Sequence, residues 1–266
     1  MKIYCLTIYN ENFNLFKKLK LYPVGLGKNN FDSKWLNDKN GFNISAKNQY
    51  YGEYTFHYNL WKNHLYKEKI NWIGFCTYRR FWLKKKATVN DYNSLKRNIL
   101  NYIPHEWNNY DSILCDPLKI GRIKKMKIIK NAFFEIIKNP YLLFKDKINI
   151  KEHFDIFHGS NFMNQAIKLL KKKEQNDFIE FLNNDSFNPY NLFICKKLEI
   201  LQSYYKSIFY WLKLCEEKFG FKNLNGYGKK RIYGFLAERY LSFWFNKYTK
   251  SKPWPVGYFD TNNIKK

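Results

Sequence analysis

The sequence predicts an α/β fold, and three observations carry that prediction. Short runs such as "KIYCLTIYN", "NWIGFC" and "YDSILCDPL" are alternating or apolar throughout and are bounded by turn residues, as strands are. Between them, apolar residues recur at three- and four-residue steps, the period of a helix with one buried face. The two patterns interleave along the chain instead of grouping, which is the order expected of a sheet covered by helices.

Taken in order, residues 2–10 form the first strand, ending in a polar turn. "LYPVGLGKNN" follows, where Pro23, Gly25 and Gly27 mark an irregular loop, and "NDKNGFNIS" is a second loop of turn formers. From Asn48 to Leu65 the side chains of Tyr51, Tyr54, Tyr58, Trp61 and Leu65 fall on one helical face. A strand over 71–77 comes next. Tyr92, Leu95, Ile99 and Tyr102 place a helix over 91–103, and "YDSILCDPL" is a short strand stopped by Pro117. Residues 121–151 are basic, aromatic and helical, with a break at Pro140. Helices around 161–171 and 174–182 lead to a strand in "NPYNLFICKK", which enters a long helix over 197–219. A last helix spans 229–247, and the tail "SKPWPVGYFD", with its two prolines, is extended.

The 266 residues suit one large domain, and with 45% hydrophobic residues a sizeable core is available. No apolar run reaches the roughly 18–20 residues that a membrane span needs. The N-terminal stretch reads as a strand, not as a secretory signal, because its apolar part is short and is cut by Asn10 and Glu11. The five cysteines are scattered and make no metal-ligand spacing, which points to a reducing cytoplasm and away from structural zinc. The formal charge of +25 implies an anionic partner: nucleic acid, an anionic membrane surface or phosphorylated substrates. A bias toward Lys, Asn, Ile, Phe and Tyr accounts for part of that charge. No helix-turn-helix signature, zinc module or RNP-like motif is present, so nucleic acid is not the expected partner.

The segment "NWIGFCTYRRFW" carries the first chemical hint. It begins as a buried strand and then presents Tyr78, Arg79 and Arg80 where a strand leaves its sheet. A guanidinium fork binds phosphate oxygens through parallel hydrogen bonds and supplies charge without a metal. Successive side chains on a strand face opposite ways, so only one of the two arginines reaches a ligand unless the chain turns there. A purely structural role, pairing with Glu53 or Asp111, is the alternative. No Asp-x-Asp pair occurs in the chain. Asp111 and Asp116, flanking one short strand, are the nearest acidic pair that could hold a divalent ion.

Several stretches, in collinear order over nearly the whole chain, resemble a bacterial family of capsular and O-antigen polysaccharide glycosyltransferases long known only as a domain of unknown function. They are "YPVGLG", "GFNISAKNQYYGEYTFHYNLWKN", "IGFCTYRRFW", "YNLFICKK" and "RIYGFLAERYL". Two places depart from the family pattern: Thr77 stands where a His usually precedes Tyr-Arg-Arg, and "FHGSNF" replaces a His followed by an acidic pair. The resemblance implies a GT-A-like fold, with a mixed central sheet flanked by helices and a helical C-terminal part. It implies transfer of a hexose, galactofuranose or a related sugar, from a UDP-sugar with inversion. It further implies a single domain over 1–266, with a nucleotide-sugar half (1–118), a basic amphipathic insertion (119–150) and an acceptor and catalytic half (151–266).

Val24 and Gly25 follow the first strand, where open α/β sheets bind ligands, and are placed to receive the uracil or ribose, a tight turn that merely needs glycine being the alternative; on the resemblance Tyr78, Arg79 and Arg80 meet the diphosphate, with Asp111 nearby. Asn43, Ser45, Lys47 and Asn48 precede a helix, whose free N–H groups favour an anion; Ser45 is equally placed to cap that helix. Glu53 orients Arg79 or Arg80. Asn191 and Arg231 face the acceptor. Glu238, among apolar neighbours in "GFLAER", takes the proton of the acceptor hydroxyl, with Arg239 beside it, although a structural pair of Glu238 with Arg231 or Arg239 fits the sequence as well. His158 and His153 are the other candidate bases. No cofactor is expected beyond the UDP-sugar donor, a divalent ion being the alternative. Residues 119–145 have the composition of an interfacial helix, which suits a cytoplasmic enzyme held at an anionic inner-membrane surface near lipid-linked or oligosaccharide acceptors. A basic nucleic-acid-binding protein and a non-catalytic scaffold of a capsule complex are the competing readings.

Overall fold

The computed structural model describes residues 1–69, 71–120 and 147–263. Its strands are β1 (Lys2–Thr7), β2 (Tyr22–Gly25), β3 (Leu36–Asn37), β4 (Ile73–Thr77), β5 (Arg80–Trp82), β6 (Ser112–Cys115), β7 (Leu118–Lys119), β8 (Ser186–Phe187), β9 (Phe193–Cys195), β10 (Ser251–Trp254) and β11 (Val256–Tyr258). The main sheet runs β10-β6-β9-β4-β1-β2-β3. All neighbours on this path are parallel except β9, which is antiparallel to both β6 and β4. Strands β5 and β11 form an antiparallel pair joined to β4, and β7 pairs with β8. The sheet draws strands from both halves of the chain.

Side-chain alternation splits the core in two. On β1, Tyr4 and Leu6 join one buried cluster while Ile3 and Cys5 join the other. The first cluster lies under α2 (Asn48–Tyr51), α3 (Tyr54–Asn63), α5 (Ile150–His158), α6 (Phe162–Lys168), α7 (Lys172–Leu182), α8 (Leu198–Phe219) and α10 (Ile232–Tyr248), the last of which follows a short α9 (Tyr227–Lys230). The second packs α1 (Phe13–Lys18) and α4 (Tyr92–Asn98) against Trp72, Trp82, Trp107 and Trp254. Helix α10 is buried on almost every side, as expected of a helix apolar all round.

Local sequence misplaces several boundaries. The helix expected over Asn48–Leu65 is two helices parted at Gly52, whose φ of +58° suits glycine; a Cβ there would run into the Arg231 guanidinium. The helix expected to reach 103 ends at Asn98, because Ile99 turns extended and bridges Leu83. "YPVG", expected as loop, is strand β2: burial of Pro23, Val24 and Leu26 outweighs the breaker composition. The tail is extended and completes the sheet beside β6. Among the described residues no helix is long and apolar enough to cross a membrane. The interfacial helix expected over 119–145 lies, from residue 121 on, outside the described residues.

Candidate active site

The carboxyl ends of β1, β2, β4 and β6 point to one edge of the sheet, and the antiparallel β9 begins there. In open α/β sheets this edge is where ligands bind. It gathers Thr7, Leu26–Gly27, Tyr78–Arg80, Asp116 and Tyr190–Asn191 from distant parts of the chain.

The arginines sit on a hairpin. Thr77 pairs with Arg80, so Tyr78 and Arg79 form a two-residue turn and Arg80 is the first residue of β5. The C-terminal tail clamps this turn. Phe259 N–H donates to Arg79 O (3.2 Å), and Thr261 donates to Tyr78 O through its N–H (3.3 Å) and hydroxyl (3.1 Å). Arg79 Nε lies 3.2 Å from Asp260 Oδ2. The Arg80 guanidinium lies over two rings, 4.6 Å from the centre of Tyr190 and 4.3 Å from that of Tyr258. It donates to Arg79 O at 3.2 Å, and no carboxylate among the described residues pairs with it. Most of its five N–H donors are therefore free for a ligand.

Glu238 lies in the second turn of α10 and reaches the same edge, its side chain 13% exposed. Its Oε1 accepts the Tyr190 N–H at 2.6 Å, and its Oε2 accepts from Arg239 Nη1. Arg239 is fully buried, its guanidinium 4.6 Å over the Phe187 ring. Burial pulls its pKa below the usual value while Glu238 opposes the change. Its Nη2 lies 3.0 Å from His153 Nδ1. Guanidinium only donates, so His153 accepts there and carries its proton on Nε2. Burial first, then the neighbouring Arg239, lowers His153 to about 3. A neutral imidazole with its acceptor nitrogen engaged braces Arg239, which in turn orients Glu238.

Tyr190 and Asn191 both have left-handed backbone, at φ +74° and +54°. Asn191 donates to Gly234 O at 3.2 Å, and its buried Oδ1 has no partner among the described residues. A buried acceptor in that state calls for water or a ligand group.

The structure revises several expected placements. Val24 and Gly25 lie inside β2 with β1 on one side and β3 on the other, so their backbone groups serve the ladder. Asn43 accepts from the N–H and hydroxyl of Ser45 (3.2 and 2.8 Å); Ser45 caps no helix. Lys47 pairs with Glu216 at 2.6 Å. Asn48 donates to Gly52 O and Thr55 Oγ1, both at 3.0 Å, and abuts Gly27. These four brace loops. Asp111 precedes β6 and accepts the Lys250 N–H at the opposite edge of the sheet. The four residues of β6 lie between it and Asp116, five steps of strand or roughly 16 Å, so the two cannot share one ion. Among the described residues no three His, Cys, Asp or Glu side chains converge as metal ligands. His158 is buried, stacked 3.8 Å from the Phe235 ring centre, and burial pushes its pKa well down, so it is enclosed and does not face the edge. Glu53 pairs with Arg231 at 3.0 Å and raises its pKa; it does not orient Arg79 or Arg80.

Sequence reading passed over Tyr190, Tyr258, Asp260 and Asp38. Asp38 is fully buried after β3, where it accepts from Gly27 N–H (3.1 Å) and Thr55 Oγ1 (2.5 Å); burial raises its pKa. Asp38 is the one acid in the loop "NDKNGFNIS", which is its signal in the sequence. Nothing local marks Tyr190 or the tail.

This architecture is similar to the apo structure of WbbM, a bifunctional glycosyltransferase. The TM-score is 0.70 at 20% identity, over 98% of this chain and 45% of that one. The chain thus spans less than half the length of that protein. No curated protein matches the sequence. A family model described as a domain of unknown function matches residues 2–250. With nearly the whole chain covered, the protein belongs to the DUF4422 family.

Proposed function

We propose that the protein is a glycosyltransferase that moves a hexose from a UDP-sugar to a growing capsular or lipopolysaccharide glycan, with inversion. Galactofuranose is the first donor sugar to test. The observation that carries the reading is the meeting of a free guanidinium, Arg80, and a braced carboxylate, Glu238, on one sheet edge through Tyr190. The similarity in fold to a glycosyltransferase supports it.

In the reaction the acceptor hydroxyl attacks the anomeric carbon of the donor. Its proton passes to Glu238, a new C–O bond forms, and the bond to UDP breaks with the electron pair leaving on the diphosphate. Arg80, with Arg79 drawn partly from Asp260, meets the charge that develops there. The buried Asn191 Oδ1 accepts from an acceptor hydroxyl. In this scheme residues 1–118 supply the donor cations and residues 151–266 the base. No metal is required, and the basic segment 119–150 holds the enzyme at an anionic inner-membrane surface.

Two measurements test the reading. UDP titration calorimetry in EDTA and in manganese should give the same affinity; binding that vanishes in EDTA removes the metal-free mechanism. Mass spectrometry of products from a UDP-sugar panel with a synthetic capsule-repeat acceptor should show one added hexose. Absence of both UDP binding and product would reject the transferase reading.

A further inference from the structure

Tyr190 combines features that packing does not explain. A left-handed φ crowds the Cβ of a bulky residue, and here the φ is +74°. The residue is 38% exposed, so burial does little to offset the strain. Strained backbone that persists without compensation from packing points to a functional demand on that residue.

The demand can be read from geometry. The φ angle sets the direction of the N–H relative to the Cα–Cβ bond. At ordinary helical or extended values the two lie on the same side of the N–Cα axis. At +74° they point to opposite sides. Tyr190 uses both directions: its N–H meets Glu238 Oε1 at 2.6 Å, and its ring lies 4.6 Å from the Arg80 guanidinium. With an ordinary φ one of these contacts would be lost.

We propose that Tyr190 is a positioning residue that ties Arg80 to Glu238, setting the phosphate-binding cation and the proton acceptor in fixed register. The inference rests on the donor-binding reading given above and adds the device that joins its two halves. Arg80 is held over the rings of both Tyr258 and Tyr190, which restrict its guanidinium before a ligand arrives. The same residue anchors the carboxylate that Arg239 holds from behind.

The test uses Tyr190→Gly, Tyr190→Ala and Tyr190→Phe in the whole protein, read by thermal unfolding and by calorimetric titration with UDP. Glycine ordinarily melts below alanine; at this position it should melt above it, because only glycine is free of the left-handed penalty. Both variants should bind UDP roughly two- to fivefold more weakly than the parent, through loss of the ring beside Arg80. Tyr190→Phe should recover most of that affinity. In an Arg80→Lys background, Tyr190→Ala should add little further loss, since the two act together. The inversion of glycine and alanine reports the left-handed backbone whatever the role of the residue, so affinity decides: a merely structural residue would leave UDP binding at the parent's level in the folded variants. Glycine melting at or below alanine, or unchanged UDP affinity in both variants, overturns the proposal. Failure of the parent to bind UDP overturns the UDP-donor reading and this inference with it, an outcome distinct from any seen only in the variants.

Discussion

Trp72 and Tyr190 share a backbone conformation that bulky residues avoid, at φ +70° and +74°, and they stand at opposite edges of one sheet. Trp72 precedes β4 and is 4% exposed. Its ring centre lies 5.1 Å from that of Trp107, which meets Trp254 at 5.2 Å. Its carbonyl accepts from Lys2 N–H and its N–H donates to Lys196 O. Burial and backbone bonds offset the strain there. Tyr190 is exposed, and its N–H goes to a carboxylate. The same deformation is thus stabilised by the core at one edge and meets the Glu238 carboxylate and the Arg80 guanidinium at the other. One edge is packed, and on the proposed function the other keeps polar groups poised at some cost to stability.

The largest effect that sharpens this contrast is on folding. Trp72→Ala should lose about 3–5 kcal/mol of stability in chemical denaturation, the range for a buried tryptophan, whereas Tyr190→Ala should lose far less. Similar losses in the two would erase the distinction between the edges.

Chemistry comes next. Glu238→Gln keeps the shape and the acceptor for Tyr190 N–H but removes basicity. Turnover should drop by about 10²-fold or more with UDP affinity little changed. Undiminished turnover in a folded variant would move the base elsewhere on the edge, with Asp116 the first residue to try.

Affinity follows. Arg80→Lys retains charge but not the fork, and should weaken UDP by roughly 1.5–3 kcal/mol, about one to two decades. Arg79→Lys should cost less, because Asp260 already engages Arg79. If the Arg79 variant proves the weaker binder, the roles of the two arginines are exchanged.

The smallest effect is on pH. Burial holds His57 and His153 to about 3, below their unfolded value. Each is neutral in the native state, so its contribution is complete above about pH 6.5 and is lost as pH falls from there toward 3. The slope is at most about 1.4 kcal/mol per pH unit for each histidine. Urea denaturation at pH 7, 6 and 5 should show the decline, and His153→Gln should remove its share. A slope unchanged by that substitution would mean that His153 titrates normally.

Much of the architecture was legible in the chain because it depends on local patterns. Alternation in "KIYCLTIYN" and the apolar run in "WIGFC" specify which faces of a strand are buried, and the long periodic helix over 197–219 was placed within a residue. Boundaries failed where a distant contact decides them. Gly52 ends α2 to make room for Arg231, 179 positions later, and "YPVG" becomes a strand because β1 and β3 flank it.

The candidate site divides in the same way. Residue types that suit phosphate and proton transfer, Arg79, Arg80 and Glu238, stand out in sequence because guanidinium forks and apolar-flanked carboxylates are chemically conspicuous. Which of them meet is a tertiary matter. Asp111 looks equivalent to Asp116 in the chain, yet strand β6 carries them to opposite edges. His158 looks like a base and is enclosed against Phe235. Tyr190, Tyr258 and Asp260 look ordinary and converge on the arginines only because the tail folds back along β5 and the chain reverses into β9. By itself the sequence determined the period of each element and the chemistry available. The tertiary structure decided which polar groups share an edge, because that choice depends on strand direction and packing between residues far apart in the chain.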